Sequence, residues 1–226
     1  MTEFWTTLYG TCNAIDLDTY KAIDPDLPLQ SPVRFTTPFW DLFGIKGYDI
    51  TTCRICGQIV TSHWYSHELK LDIPPGPSQT LAACIKEFFR CADLKDSDDK
   101  CDDRCKRRMC RKKQAYITHW PPILTLSMKR WIPTAMPDVY IKEHRPVEIP
   151  HHIQNLPDQP PVAYTLRAAI VHRGQAGGGH YICLTKSKEN ESWIQSDDST
   201  ITHPASHVTD TLAQAFLLFY ERVNAQ

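Results

Sequence analysis

An α+β fold dominated by antiparallel sheet is what this sequence predicts, on three observations. Its second half consists of short apolar runs, 122-PILTLSMKRW-131, 162-VAYTLRAAIVH-172, 180-HYICLT-185, 192-SWIQS-196 and 214-QAFLLFYERV-223, separated by proline, glycine or charged turns. Such spacing suits strands of an antiparallel, partly two-sided-buried sheet. Residues 48–73 are rich in β-branched and aromatic side chains and suit two strands joined around Cys53-Arg54-Ile55-Cys56-Gly57. Helical spacing is clear in one place: after 74-PPGPS-78, apolar Leu81, Ile85, Phe88 and Phe89 recur with Ser78 as the expected N-cap.

The remaining segments follow from composition. With 226 residues and 42% hydrophobic side chains the chain can bury a core, which suggests one main unit with an attached subdomain. Pro25, Pro28, Pro32 and Pro38 break any sustained period, so residues 1–38 carry no assigned element. Twenty-five basic against 26 acidic side chains leave a formal charge of -1, which announces no long-range attraction to nucleic acid or membrane. The start, MTEFWTTLYGTC, lacks the basic and apolar regions of a signal peptide, and no apolar run reaches membrane-spanning length. The expectation is an intracellular protein of the cytoplasm or nucleus, where nine cysteines point to metal ligation or catalysis before disulfides.

Cys53 and Cys56 form a C-x2-C pair whose turn can bring both sulfurs to one Zn²⁺. Two further ligands are available in 101-CDDRCKRRMC-110, as Cys101 with Cys105 (C-x3-C) or Cys105 with Cys110 (C-x4-C). Both spacings suit zinc, and Cys101 with Cys105 is the preferred pair; free surface thiols are the plainer alternative. His63 and His67 are alternative ligands, for which the reading as half-exposed strand residues is preferred, and Cys84 and Cys91 are read as buried thiols by the helix. The run 92–113 is acidic first and then basic (Lys106, Arg107, Arg108, Arg111, Lys112, Lys113), without interleaved aromatics. A solvated finger tip fits it better than a core element or a nucleic-acid interface.

Gly177, Gly178 and Gly179 precede His180 and Tyr181, and the strand through 193–196 returns to Asp197 and Asp198. If the two runs pair as a hairpin, the start of the first meets the end of the second, and His180 faces the aspartates. A carboxylate on one imidazole nitrogen fixes the tautomer and favours the imidazolium, leaving the other nitrogen to deprotonate a nucleophile. A surface His–Asp pair without catalytic role is the alternative. His172, one strand earlier, is read as structural.

In order, Asp41-Leu42-Phe43-Gly44, C-x2-C, 68-ELKLDIP-74, the helix, the second cysteine cluster, PILTLSMKRW, Tyr164-x-Leu166, His172-x-Gly174, GGGHY, W-x3-DD and AFLLFYER make a chain that resembles the C-terminal two thirds of the ubiquitin-specific protease catalytic domain. The resemblance implies a papain-like cysteine protease fold of fingers (about residues 48–120) and palm (about 121–226), with the thumb largely missing. It implies hydrolysis of isopeptide bonds at the C-terminal glycine of ubiquitin. His180 is similar to the catalytic histidine, Asp197 to its orienting aspartate and Asp198 to the neighbouring carboxylate. Gly177, Gly178, Gly179 and Tyr181 match the border of the channel for ubiquitin's tail, and Cys53, Cys56, Cys101 and Cys105 match a structural zinc site. That family's second pair is usually C-x2-C, so C-x3-C is a departure.

A larger departure concerns the nucleophile, which the family carries in a G-N-T-C box ahead of a long helix. The nearest local match, Tyr9-Gly10-Thr11-Cys12-Asn13, lies 41 positions before Cys53 and is read as a chance Gly-Thr-Cys. The expectation is therefore a deubiquitinase domain with little activity by itself. A non-catalytic ubiquitin-binding module is the alternative, and a zinc-ribbon nucleic-acid binder the third reading.

Overall fold

The computed structural model describes residues 38–94, 100–101, 104–108, 110–136, 138–156, 162–204 and 207–223. Cys12 and the unassigned N-terminal segment before Pro38 lie outside them. A short helix, α1 (Pro38–Phe43), leads into β1 (Ile45–Cys53), β2 (Ile59–Ser66), β3 (Leu69–Leu71) and β4 (Gln79–Thr80). Then come α2 (Leu81–Phe88), β5 (Ala92–Asp93), β6 (Arg111–His119), β7 (Ile123–Met128), β8 (Trp131–Pro133), β9 (Tyr140–Lys142), β10 (Val147–Glu148) and β11 (His152–Ile153). The chain continues through β12 (Ala163–Gln175), β13 (Gly178–Lys186), β14 (Trp193–Asp197), β15 (Thr200–Thr202), α3 (Val208–Leu212) and β16 (Ala215–Val223).

These strands make a large sheet in the order β15-β14-β13-β12-β16-β7-β3, with β11 also on β12, and a small antiparallel sheet β2-β1-β6-β5. Pairing in the large sheet is antiparallel except for β3, which runs parallel to β7 with Leu69 opposite Leu126. β7 and β16 are buried nearly along their length, which is why their sequences read as unbroken apolar runs. β2, by contrast, faces solvent over most of its side chains. One core joins the sheets: Ile45 and Ile117 from the small sheet pack in the same cluster as Leu126, Leu166 and Leu218 from the large one. Leu81, Cys84 and Ile85 supply the buried stripe of α2 to that cluster.

Three details differ from expectation. Thr80 caps α2 in place of Ser78, its Oγ1 accepting the Ala83 N–H at 3.1 Å. The reason is that Gln79 and Thr80 pair with β10, which keeps the chain extended until the helix begins. The stretch 92–113 is more than a solvated excursion. Cys101 and Cys110 are buried, and Arg111 opens β6, a strand that lies between β1 and β5 in the small sheet. Cys84 is buried as expected, but Cys91, just beyond the helix, is exposed.

Arg130 follows β7 and is 1% exposed. Its Nε donates to the Ala215 carbonyl at 2.8 Å, Nη1 to those of Glu143 and Arg145 at 3.1 and 2.9 Å, and Nη2 to that of Ala213 at 2.6 Å. A guanidinium has enough donors to satisfy four backbone acceptors at once, so one side chain fixes the approach to β16 against the segment after β9.

Candidate functional site

The site starts from the pairing of β13 with β14. Cys183 is opposite Ser196 and Lys186 opposite Trp193, so the open end of the ladder brings the start of β13 towards Asp197. There His180 Nε2 lies 2.5 Å from Asp197 Oδ1, the pairing expected from the sequence. A carboxylate only accepts, so Nε2 carries the proton and the lone pair of the neutral ring resides on Nδ1. Both side chains are partly exposed, at 42% and 32%. Asp198 has a different place: its carboxylate belongs to the same close group, but it is exposed, with φ 48° in the turn to β15.

Arg173, opposite His180 on β12, places Nη1 3.6 Å from the second Asp197 oxygen, Oδ2. Asp197 thus meets the imidazole with one oxygen and a guanidinium with the other. Sequence reasoning did not single out Arg173, although the hairpin register around Gly174 and Gly179 contains it.

The hairpin between β12 and β13 pairs Gly174 with Gly179 and Gln175 with Gly178. Gly174 has φ +104°, a conformation that excludes most side chains. The three glycines before His180 divide by role. A Cβ on Gly179 would collide with the His172 ring and the Arg173 carbonyl, whereas one on Gly177 or Gly178 would meet open space. Tyr181 is 38% exposed, with its ring centroid 4.7 Å from that of His172. His172 itself is 5% exposed, enclosed by Trp131 and Phe216 at 5.1 and 5.7 Å, and burial pulls its pKa down, helped by Lys142. Its structural reading agrees with this packing.

A second cluster sits at the far end of the small sheet. β1 ends at Cys53, and the Gly57 N–H returns to the Cys53 carbonyl at 3.0 Å, closing a turn that carries Cys56. The Arg54 N–H donates to the Cys110 carbonyl at 2.8 Å, docking the second cysteine segment on this turn. Sγ atoms lie 3.6 Å apart for Cys53–Cys105, 3.6 Å for Cys56–Cys101 and 3.5 Å for Cys53–Cys110. Those of Cys53, Cys56, Cys101 and Cys105 are all within 4.8 Å of one another. Four sulfurs about 2.3 Å from one ion sit about 3.8 Å apart in a tetrahedron, so the donor set fits a zinc ion in size and chemistry. N–H donation from Cys56 holds the Cys53 pKa down at about 6 against the opposing effect of burial, whereas at Cys56 and Cys105 backbone N–H donation is outweighed by burial and the neighbouring thiols, which raise it. Cys110 is the fifth thiol, outside the mutually close four, and its Sγ is 3.2 Å from the Arg107 carbonyl. His63 is exposed on β2 and His67 lies between strands; neither is in the thiol group.

Together these features define a sheet-built domain with a histidine–carboxylate pair at a glycine hairpin and a cysteine cluster at the end of the smaller sheet. The family model for ubiquitin carboxyl-terminal hydrolases matches residues 17–220, and the chain belongs to that family. Ubiquitin carboxyl-terminal hydrolase 4 of Saccharomyces cerevisiae (strain YJM789) is 26% identical over 210 residues, covering 81% of this chain and 22% of the relative. A solved yeast SAGA DUB module superposes with TM-score 0.79 at 24% identity, over 100% of this chain and 51% of the other. The SAGA DUB module bound to ubiquitin aldehyde gives TM-score 0.75 at 23% identity, over 100% of this chain and 49% of that one. These structures establish the fold expected from the sequence, and the chain spans about a fifth to a half of the length of these relatives. Among the described residues no helix is long and apolar enough to cross a membrane.

Proposed function

We propose that this chain supplies the general-base half of a cysteine-type deubiquitinase that cleaves isopeptide bonds after the C-terminal glycine of ubiquitin. The observation that carries the reading is the His180 Nε2–Asp197 Oδ1 bond beside a hairpin whose Gly177 and Gly178 leave open space. In the reaction, Nδ1 of His180 takes the proton of a cysteine thiol, and the thiolate attacks the carbonyl carbon of the terminal glycine. His180 returns the proton to the leaving lysine amine as the tetrahedral intermediate collapses to a thioester. Water, deprotonated by the same imidazole, then releases ubiquitin and restores the thiol. Asp197 holds the ring and stabilises the imidazolium throughout.

We assign the large sheet, apart from β3, to the palm (about residues 121–226) and the small one to the fingers (about 48–120). Cys53, Cys56, Cys101 and Cys105 would hold a structural Zn²⁺ that cross-links the finger turns, and four sulfur ligands leave no open position for chemistry. Ubiquitin as the ligand draws further support from the related fold solved with ubiquitin aldehyde. A second reading, binding without cleavage, needs only the hairpin and the open space at Gly177 and Gly178.

Two measurements test these readings. Titration of the chain with ubiquitin, followed by NMR, should move the amides of Gly177, Gly178 and His180; no change there would overturn both. Hydrolysis of a fluorogenic ubiquitin C-terminal amide then separates them. Cleavage is supported by turnover that His180→Ala lowers by about 10²–10⁴-fold. Binding without turnover, unaffected by His180→Ala, supports the module. Turnover abolished by Cys12→Ala would make Cys12 the nucleophile and overturn its reading as a chance match.

A further inference from the structure

β12 is longer than the partner that covers one of its edges. β16 pairs with it as far as Val171 opposite Ala215, whereas β12 runs on to Gln175 with β13 on its other side. Past Val171 no described strand pairs with that edge, and its backbone groups, that of the buried His172 foremost, need other partners. Lys142 supplies them. Its Nζ donates to the His172 carbonyl at 2.6 Å and to the Gly174 carbonyl at 3.0 Å. The intervening Arg173 carbonyl faces the other way, toward Gly179 on β13, as the alternation of a strand requires.

The placement of this ammonium is set by β8 and β9. Lys142 pairs with Trp131, whose ring packs on His172 and on Phe216 at 5.1 Å each, and the Lys142 Nζ sits 5.6 Å from the Phe216 ring centroid. The two carbonyls it grips belong to the residues on either side of Arg173. Arg173 is the residue that lies opposite His180 and reaches Asp197 Oδ2.

We propose that Lys142 is a positioning residue: where no described strand continues the pairing of β16, its ammonium holds the end of β12 and so keeps the glycine hairpin in the register that places His180 on Asp197. Charge-assisted bonds to two carbonyls two residues apart restrain both the direction and the twist of the strand, which a single neutral contact would not. The inference rests on the reading of His180 as general base only for its functional consequence; the restraint itself can be measured without turnover.

The test uses the whole 226-residue chain. Lys142→Met keeps an unbranched stem against Phe216 but removes the donors. Amide hydrogen exchange at Gly174–Tyr181 should accelerate about tenfold or more, as expected for loss of a charge-assisted bond, while β7 and β16 stay protected. The downfield imidazole N–H proton of His180, bonded to Asp197, should broaden or vanish, and Lys142→Arg, which can still donate to both carbonyls, should restore it. Unchanged exchange and an unchanged His180 signal in Lys142→Met would overturn the proposal. So would equal acceleration in β7 and β16, which marks a general loss of stability. Should Lys142→Met not fold, Lys142→Gln, with one amide in place of the ammonium, must give intermediate exchange; wild-type exchange there overturns the proposal as well. A hairpin loosened by Lys142→Met, in a chain whose Gly177 and His180 ignore ubiquitin, supports the latch and sinks the deubiquitinase reading instead.

Discussion

Asp197 and Asp198 are adjacent carboxylates, and the chemistry of a general base needs only one of them on the ring. Asp197 divides its oxygens between His180 at 2.5 Å and Arg173 at 3.6 Å, whereas Asp198 turns the chain with φ 48°. Substitution to asparagine separates the two roles while leaving shape intact. Asp197→Asn should abolish the downfield His180 N–H signal in NMR and, wherever turnover is measured, lower it by roughly the 10⁴-fold known for such a change in a Ser-His-Asp triad. Asp198→Asn should keep that signal, because asparagine tolerates the left-handed region as well as aspartate does. Equal effects of the two substitutions would show that the carboxylates act as one group.

The hairpin and the finger turns show what whole elements contribute. Gly179→Ala drives a methyl into the His172 ring and the Arg173 carbonyl, so the melting temperature should fall by several degrees. Gly178→Ala meets open space and should leave the melting temperature within about a degree while weakening the response to ubiquitin's tail. A matched loss of stability in both would refute this division of the glycines. At the other element, Cys56→Ser should reduce zinc from one ion per chain to none by elemental analysis. It should also speed amide exchange at the Cys53 end of β1 and the Arg111 end of β6, with β12 unaffected; full zinc content would show that Cys110 takes its place. Much of this was legible in the sequence because it is local. The hairpin needed only pairing arithmetic to put His180 near Asp197, and C-x2-C needed only a turn. Less legible were features that depend on distant partners. Arg111, Lys112 and Lys113 read as solvated charge, yet they open β6 because β1 offers an edge from residues 46–53. Nothing local marks the roles of Lys142 and Arg130 either, since the carbonyls they bind at the ends of β12 and β16 lie 30 or more positions away.

At the scale of the whole molecule, the two sheets share a core, so the burial that builds the site also sets how the fold responds to acid. His172 is enclosed between Trp131, Tyr181 and Phe216, and burial holds its pKa below the ordinary histidine value. Well above pH 6.5 the ring is neutral in both folded and unfolded chains and contributes no pH dependence. As pH falls through that value the unfolded chain binds a proton that the folded site resists, and stability drops. His67, His119 and His151 are shifted in the same direction by burial and add to the drop. A separate loss follows below about pH 4.5. There Glu143, Glu191 and Glu221, whose pKa values are held down by bonds from Arg145, Lys186 and Lys188, take up protons and release these partners. Urea unfolding midpoints between pH 8 and pH 5 should therefore fall before any carboxylate titrates. Replacing the ring in His172→Gln should lower stability at every pH, because the aromatic packing is lost, but should make the slope between pH 6.5 and pH 5 shallower by up to about 1.4 kcal/mol per pH unit, the share of one proton. A variant whose slope matches the parent would show that His172 titrates alike in the folded and unfolded chains, and that the loss of stability in mild acid originates at the other three rings.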